Sequence, residues 1–444
     1  RRKADTVMKA FEITFERMVE KGEEGTYFPV EFTVPQDAEK LEICYEYARY
    51  EETVKDGRRF RREKNIVDLA VCAPQGYIGS SGSDRTRIQL SAYGSSQGFA
   101  PCEIRRGTWQ VILGAYKISP EGCLVRYTVT VYPKELGLYK GDTHMHTVGS
   151  DGNCTLDEIA WMAEKQGLDY VIVTDHNNYA HNSQIRPHAS VTMIPGAEWT
   201  HYKGHAGMLG AARPFDNPFC VNTPEEMREK FDEAGKRGAL RVLNHPFCPN
   251  CGWRWGMDAV EYDLVEVWNG ATPAPVNLEC LSWWEEQLKA GKKIPITGGS
   301  DFHRTEFGRM LASPCTWLYA ASRTPADLLD ALKRGHGFIT YGPEGPVLRV
   351  GPEGYLPGDT VPQDAEVSFV FERLKGGDMI ALISDQGEER ITMEEFTSEY
   401  TCTRKVKGLK YLRAQVFRQP ELIGGMPALI SNPFYVSGQE DGID

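Results

Sequence analysis

The 444-residue sequence lacks any long apolar run, and its N-terminal residues lack the apolar segment of a secretory signal. A transmembrane helix needs about 18 or more consecutive apolar residues, so the composition excludes a protein that spans a bilayer through helices. We therefore expect a cytoplasmic protein with no membrane partner. The 41% hydrophobic and 25% charged content is that of an ordinary folded chain, which excludes a disordered or fibrous class.

Cysteines in a framework spacing are also missing, because the eleven cysteines are an odd number and stand singly apart from Cys248 and Cys251. This pattern predicts reduced thiols, and we interpret the Cys248-Pro-Asn-Cys251 segment as structural. The formal net charge of −12 argues against nucleic acid as a binding partner.

Histidine is absent from both ends of the chain, and all ten histidines lie between positions 144 and 336. Residues 1–137 instead alternate β-rich runs such as FPVEFTVP and CLVRYTVTVYP with turn signals, which predicts a β-sandwich domain. A similar pattern returns in residues 344–444 and predicts a second, C-terminal β-sandwich. The chain is thus expected to be multidomain.

The middle segment, residues 138–343, alternates strand-like and helix-like patterns. Seven strand candidates, such as LDYVIVTDH and DLVEVWNG, are separated in several places by helical patterns at residues 155–166, 223–236, 277–290 and 324–334. Thr155 with Glu158 and Thr223 with Glu226 have the spacing of capping boxes. This order predicts a central α/β domain, which we interpret as a distorted (β/α)7 barrel.

Metal-ligand side chains stand where the strand candidates end. His144 and His146 have the i, i+2 spacing that directs two side chains to one face of an extended segment, and Asp301 with His303 repeats it. Because the carboxyl ends of parallel barrel strands meet at one mouth, we expect these residues to lie together. Imidazole with carboxylate suits zinc, manganese or iron.

At these residues the sequence resembles the PHP (polymerase and histidinol phosphatase) superfamily of metal-dependent hydrolases. The matching segments are GDTHMHTVGSDG, VTDHN, PGAEWTHYKGHAGMLG, LNHPF and TGGSDFH, in that order. The β-rich flanks resemble the branch named after the carbaryl hydrolase and the microcin-processing protein.

The resemblance implies a cluster of two or three divalent metal ions. His144, His146, Glu198 and Asp301 would hold one ion, Glu198, His205 and His245 a second, and Asp151, His176 and His303 a third. Glu198 would bridge two ions. His201 is an alternative to His205, and we prefer His205 because it opens the HAGMLGA strand.

The expected activity is phosphate mono- or diester hydrolysis of a small anionic substrate, with a metal-bridging hydroxide as nucleophile. The alternatives are a carboxylic or carbamic ester or amide hydrolase, and a binding module whose metal is structural. We expect catalytic roles for Asp301, His303 and Asp175, the last of which is equally a candidate backbone cap. Arg304 and Arg309 are candidates to bind phosphate oxygens. Asn177 and Asn269 are further candidates, and the sequence leaves the oligomeric state open.

Overall fold

The computed structural model describes residues 10–188, 190–305, 310–419 and 425–438. The chain divides into two compact units, with the boundary between Glu135 and Leu136. The three-domain division at 1–137, 138–343 and 344–444 stays a prediction.

The N-terminal unit is built from β-strands, with a 3-10 turn at Lys21–Glu23. The strands are β1 (Phe11–Val19), β2 (Tyr27–Val34), β3 (Ala38–Glu46), β4 (Tyr50–Lys55), β5 (Arg58–Glu63), β6 (Ile66–Ala73), β7 (Gly76–Gly82), β8 (Arg87–Ser91), β9 (Gly107–Lys117) and β10 (Cys123–Pro133). Two antiparallel sheets have the strand orders β1-β10-β3-β8 and β2-β9-β6-β7. Alternate residues of β10 are buried, and both sheets contribute to one core around Phe32, Trp109 and Tyr127. This arrangement is a β-sandwich.

Strands β4 and β5 form a separate hairpin in this unit. Its turn, Asp56-Gly57, has φ angles of 51° and 74°, as a type I′ turn requires of both central residues. Strand β5 has the sequence RRFRRE and is almost wholly exposed. A chain with net negative charge therefore carries a local run of four exposed arginines.

The second unit begins with alternating strands and helices. Its first ten strands are β11 (Gly137–Asp142), β12 (Tyr170–Ile172), β13 (Thr192–Ile194), β14 (Gly196–His201), β15 (Gly204–Leu209), β16 (Leu240–Asn244), β17 (Leu264–Asn269), β18 (Ile296–Gly299), β19 (Cys315–Ala320) and β20 (Gly337–Thr340). The helices are α1 (Leu156–Lys165), α2 (Pro224–Lys236), α3 (Ala274–Lys289) and α4 (Pro325–Arg334), with a 3-10 turn at His181–Gln184. The predicted capping boxes of α1 and α2 are both present.

The strand pairings place seven of these strands side by side. Strands β11 and β12 pair in parallel, and β14-β15-β16-β17-β18 form a five-stranded sheet. Single parallel bridges, His176 to Glu198 and Met145 to Phe302, link the two sets at both edges. The segment VTMIPGAEW, another of the seven strand candidates, is divided into β13 and β14 at Pro195, which has no N–H to donate.

A regular (β/α)7 barrel is not confirmed. Strands outnumber helices, residues 245–263 connect β16 to β17 without a helix, and β15 runs antiparallel to both of its neighbours. The structure is multidomain, and most of its regular elements are β-strands. None of the described helices combines the length and apolar composition needed to cross a bilayer.

The C-terminal strands continue the sheet of the preceding segment. They are β21 (Val347–Arg349), β22 (Thr360–Val361), β23 (Glu366–Leu374), β24 (Met379–Ser384), β25 (Gly387–Thr392), β26 (Thr397–Lys405), β27 (Tyr411–Phe417), β28 (Leu429–Ser431) and β29 (Phe434–Val436). The main sheet has the order β13-β12-β11-β19-β20-β28-β27-β24-β25, and β21-β23-β26 form a second sheet. Residues on both sides of the predicted boundary at 343/344 therefore share one sheet.

Candidate metal centre

The structure brings all nine predicted ligand residues together at one end of strands β11–β18. Their side chains fall into overlapping groups in which the ligand atoms lie within 4.8 Å of one another. The groups comprise His144, His146, Asp151, His176, Glu198, His205, His245, Asp301 and His303, together with Cys251, which the sequence analysis did not assign.

Glu198 lies at the centre of the cluster and is fully buried. Its Oε1 atom is 3.2 Å from Nε2 of His144, 3.2 Å from Nε2 of His245 and 3.3 Å from Nδ1 of His205. Its Oε2 atom is 2.8 Å from Nδ1 of His176 and 3.7 Å from Nε2 of His146. One carboxylate thus faces five imidazoles from both of its oxygens, as expected of a bridging ligand.

The donor set fits a bound cation. His144 contacts Glu266 through Nδ1, so Nε2 is the unprotonated atom when the ring is neutral, and this atom lies 3.2 Å from Nε2 of His146. Glu198 Oε2 and His205 Nδ1 are buried and make no hydrogen bond with the described residues. Asn244 donates to Glu198 Oε1 at 2.9 Å, and the other electron-rich atoms that converge in this buried space are costly unless a cation lies between them. The residues therefore fit divalent metal ions.

Asp151 and His303 form the outer part of the cluster. His303 Nε2 is 3.3 Å from Asp151 Oδ1, and the Asp151 side chain is 59% exposed, whereas that of Glu198 is 0% exposed. His303 Nδ1 donates to the Asp301 carbonyl oxygen at 2.9 Å, which leaves Nε2 free to accept a cation. His176 Nε2 is 3.7 Å from the same Asp151 oxygen. The expected third site therefore borders solvent.

Strained backbone positions two of the ligands. His245 directly follows β16 and has a φ angle of 30°, and Asp301, two residues beyond the end of β18, has a φ angle of 51°. Asn177, which follows His176, has a φ angle of 50°. Residues other than glycine rarely adopt these values, which are found more often at functional sites. The turn at each strand end directs the side chain into the cluster.

Glu266 supports the cluster from behind and was missed by the sequence analysis. Its side chain is 1% exposed; Oε1 is 2.9 Å from Nδ1 of His144, and Oε2 accepts the backbone N–H of His245 at 2.9 Å. Asn269, one of the predicted anion ligands, donates instead to Glu266 Oε2 and to Asp301 Oδ2. The available signal was a single carboxylate inside the apolar strand sequence LVEVW.

Cys251 is a second residue that sequence reasoning placed outside the site. Its Sγ atom lies 3.6 Å from Nδ1 of His245 and 2.7 Å from Sγ of Cys248. Both cysteines are free thiols. The Cys248-Pro-Asn-Cys251 turn therefore borders the metal centre in addition to shaping the loop after β16.

Hydrogen bonds favour His205 over His201 as a ligand. His201 accepts the backbone N–H of Lys203 at Nδ1 and therefore donates from Nε2 to the Val221 carbonyl oxygen, so both ring nitrogens are occupied. His205 instead turns Nδ1 toward Glu198. The assignment of His205 nevertheless stays a prediction.

The remaining predicted catalytic residues are Asp175, Arg304 and Arg309. Asp175 is buried and accepts the backbone N–H of Thr147 at 2.7 Å, the Ser150 hydroxyl at 2.8 Å and Nδ1 of His181 at 2.9 Å, so it caps the loop that carries Asp151. The Arg304 side chain is exposed. Arg309 lies outside the described residues.

Electrostatics inside the cluster keep its carboxylates charged. Burial acts to raise the pKa of Glu198, but His144 and His205 outweigh it, and the pKa lies well below its usual value. For Asp301, burial is likewise outweighed by His144 and His146, which lower the pKa. Burial lowers the pKa of His146, whereas at His144 burial is outweighed by Glu266 and Glu198, and its pKa lies well above the usual value. Metal binding to His144 would therefore release a proton.

Comparison with known proteins gives one sequence match. No family model matches the chain. A segment of 53 residues, 12% of the chain, is 42% identical to the DNA polymerase/3′-5′ exonuclease PolX of Bacillus subtilis, and it covers 9% of that protein. The chain therefore matches only a small part of this relative's length.

Two solved structures show weak likeness. A two-domain protein of Bacteroides vulgatus, described as containing a predicted PHP-like metal-dependent phosphoesterase, is 18% identical with a TM-score of 0.38, covering 68% of this chain and 96% of that one. An amidohydrolase from Chromobacterium violaceum is 14% identical with a TM-score of 0.27, covering 38% of this chain and 89% of that one. Likenesses of this strength carry no conclusion.

The resemblance to the carbaryl hydrolase and microcin-processing branch stays a prediction. The five ordered motifs, whose ligand residues converge in the structure, resemble those of the PHP superfamily, and a segment of 53 residues is similar to the polymerase–exonuclease.

Proposed function

We propose that the protein is a metal-dependent hydrolase that cleaves phosphate mono- or diesters of small molecules. The observation that supports it is the position of Glu198, whose two carboxylate oxygens face five imidazoles in a buried space. A structural zinc site is usually closed by four ligands. A site with nine proposed ligand residues that is open to solvent at Asp151 suits catalysis better than a purely structural role.

The groups of neighbouring ligand atoms overlap the three sites proposed from the sequence without reproducing them, because no group among the described residues joins Glu198, His205 and His245. His144, His146 and Asp301 group together, as do His146, Asp151, His176 and His303. His176 also groups with Glu198 and His205, so it is placed between the second and third sites. Bound divalent ions, zinc, manganese or iron, would supply Lewis acidity that activates water and neutralises phosphoryl charge, and the di- or trinuclear hydroxide mechanism is our proposal for that chemistry.

The chain's own residues orient this chemistry. Glu266 and the Asp301 carbonyl hold His144 and His303 in the tautomers that leave Nε2 unprotonated. His303, with 24% of its side chain exposed, lies at the solvent side of the cluster beside Asp151, and a catalytic role there stays our proposal. Asp301 Oδ2 is held by Asn269, which fixes the carboxylate plane. We assign Asp175 to orienting the Thr147–Asp151 loop.

Metal analysis joined to a substrate panel tests this function. After reconstitution, the purified chain should hold two to three ions and hydrolyse aryl phosphate monoesters or diesters faster than aryl acetates or carbamates. Chelation should abolish the hydrolysis, and adding metal should restore it. Turnover confined to the neutral esters would replace the proposal with an ester or carbamate hydrolase, and one ion or fewer would exclude a cluster.

The exposed Arg304 and the undescribed Arg309 are still proposed phosphate ligands. Replacing either by alanine should slow hydrolysis of phosphate esters by about 30- to 150-fold, corresponding to about 2–3 kcal/mol of lost charge-assisted hydrogen bonding. Aryl acetate hydrolysis, if present, should not change. Equal effects on both substrates would argue against a role in binding the anion.

A further inference from the structure

A cavity of about 580 Å³ opens beside the metal centre. Its lining includes the proposed ligand His205 and also Thr200, whose hydroxyl is 2.6 Å from Nδ1 of His176. Cys251, which contacts His245, forms another part of the wall. A substrate whose reacting group sits at the metal centre therefore has room to extend into this cavity.

The cavity carries no formal charge from its lining. None of the eleven described residues that line it is Asp, Glu, Lys or Arg. His201 is held neutral, because it accepts a hydrogen bond at Nδ1 and donates one from Nε2. A charged group entering this space would lose part of its water without a charged side chain in the lining to replace it, which is costly.

The lining offers apolar contact and amide hydrogen bonds instead. Val221 is 5% exposed and Phe219 is 37% exposed, so they present an apolar wall with an aromatic face. The side-chain amides of Asn222 and Asn250 make no hydrogen bonds with the described residues, so they can serve a ligand. Aromatic rings and amides together suit a flat cyclic group with polar edges.

We propose that this cavity binds the leaving group of the substrate, and that this group is an uncharged cyclic alcohol or phenol with a hydrogen-bonding edge. The inference rests on the proposed phosphoesterase function. It excludes sugar bisphosphates, polyphosphates and polynucleotides as preferred substrates, because each would place a second anion in the cavity.

A matched pair of esters tests the charge preference. In 4-carbamoylphenyl phosphate and 4-carboxyphenyl phosphate the leaving groups are nearly identical in shape and differ in charge. Metal-loaded protein should hydrolyse the carbamoyl ester with a kcat/KM at least tenfold higher. Equal values, or a preference for the carboxylate, would overturn the inference.

Three variants test whether the cavity causes that preference. Asn222→Lys adds a cation to the lining and should reduce the preference for the carbamoyl ester by about tenfold. Thr401→Lys adds the same charge on the exposed strand β26 and should leave the preference unchanged. Phe219→Ala should raise KM for the carbamoyl ester more than for methyl phosphate. A preference unchanged in Asn222→Lys, or changed equally in both lysine variants, would place the leaving group elsewhere.

Binding of the free phenols separates this inference from the proposed function. With inorganic phosphate saturating the metal-loaded protein, calorimetry should detect 4-hydroxybenzamide, and 4-hydroxybenzoate should bind at least tenfold more weakly. If neither phosphate ester is hydrolysed, the proposed function fails. The difference in binding between the two phenols still tests whether the cavity prefers an uncharged group. Equal binding of the two phenols, or none, would contradict the inference.

Discussion

Glu266 is a carboxylate that serves the metal centre without belonging to the ligand set. It contacts the ring of His144 and the backbone of His245, and through Asn269 it is connected to Asp301. Acceptors behind metal-bound histidines fix the tautomer and ring orientation, and their loss costs about 10–100-fold in metal affinity.

Glu266→Gln should therefore weaken metal binding by about 10–100-fold, because the amide no longer gives His144 a charged acceptor. Competition with a fluorescent chelator measures the change. Glu279→Gln, at an exposed position on α3, is the matched control and should bind metal as the wild type does. Wild-type affinity in Glu266→Gln would show that His144 does not depend on this contact.

The outer ligands allow a second test at the same scale. Asp151→Ala or His303→Ala should lower the metal content by about one ion, because both residues lie at the exposed side of the cluster, away from the buried Glu198. Elemental analysis after gel filtration gives the count, with the exposed Asp157→Ala as control. Loss of all metal in either variant would show that the proposed division of ligands is wrong.

The convergence of the proposed ligand residues could be predicted from the sequence because pairs such as His144 and His146 are close in sequence and share a face of an extended segment. Glu266 could not, because a carboxylate in an apolar strand has no local partner that identifies its role. The contact of Cys251 with His245 depends on how the loop after β16 folds back, which spacing alone does not encode.

The sequence predicted the strands themselves better than it predicted which strands pair with one another. The alternation of β10 and the capping boxes of α1 and α2 are local signals, and the structure contains all of them. The pairing of β20 with β28 joins residues about 90 positions apart, so no local pattern predicts that the C-terminal strands extend the main sheet. Contacts of this separation depend on the whole fold.

A buried ion pair holds two C-terminal strands together where they end. Arg418, just after β27, contacts Asp378, just before β24, through two hydrogen bonds of 2.8 and 2.7 Å. The two residues are 7% and 1% exposed. The pair therefore links the end of β27 to the start of β24 inside the core.

Asp378→Asn should lower the free energy of unfolding by about 3–5 kcal/mol, because it leaves the Arg418 guanidinium buried without its counter-charge. Denaturant unfolding measures the loss, and metal content should stay at the wild-type value. The control is Glu372→Gln, which breaks the more exposed Arg349 pair and should cost less than about 1 kcal/mol. Equal losses of unfolding free energy in the two variants would show that burial of an ion pair does not determine how much its removal destabilises the protein.

At the scale of the whole molecule, the ligands are confined to one of the two compact units. All nine lie after residue 136, and the N-terminal unit contains no histidine. A ligand that binds only the folded state stabilises the unit that binds it, by about 4 kcal/mol at a thousandfold excess over Kd.

Calorimetry of the full chain should therefore show two transitions, of which chelation lowers the Tm of one by several degrees. The other transition, that of the N-terminal sandwich, should not move. Restoring metal should return the shifted transition to its original temperature. If both transitions shift together, the two units unfold as one.

Net charge is a second property of the whole molecule, and one exposed segment has the opposite charge. The value of −12 averages over the chain, whereas strand β5 exposes four arginines within six residues. An argument from net charge against polyanion binding therefore does not extend to this hairpin.

The left-handed backbone at His245 and Asp301 has a consequence for engineering. A non-glycine residue in this conformation costs on the order of 1 kcal/mol, so His245→Gly and Asp301→Gly are substitutions that a selection for thermostability in metal-free medium would favour. Each gain would remove a proposed ligand. Directed evolution toward a more stable protein should therefore be carried out with metal present, or it will select against the proposed metal centre.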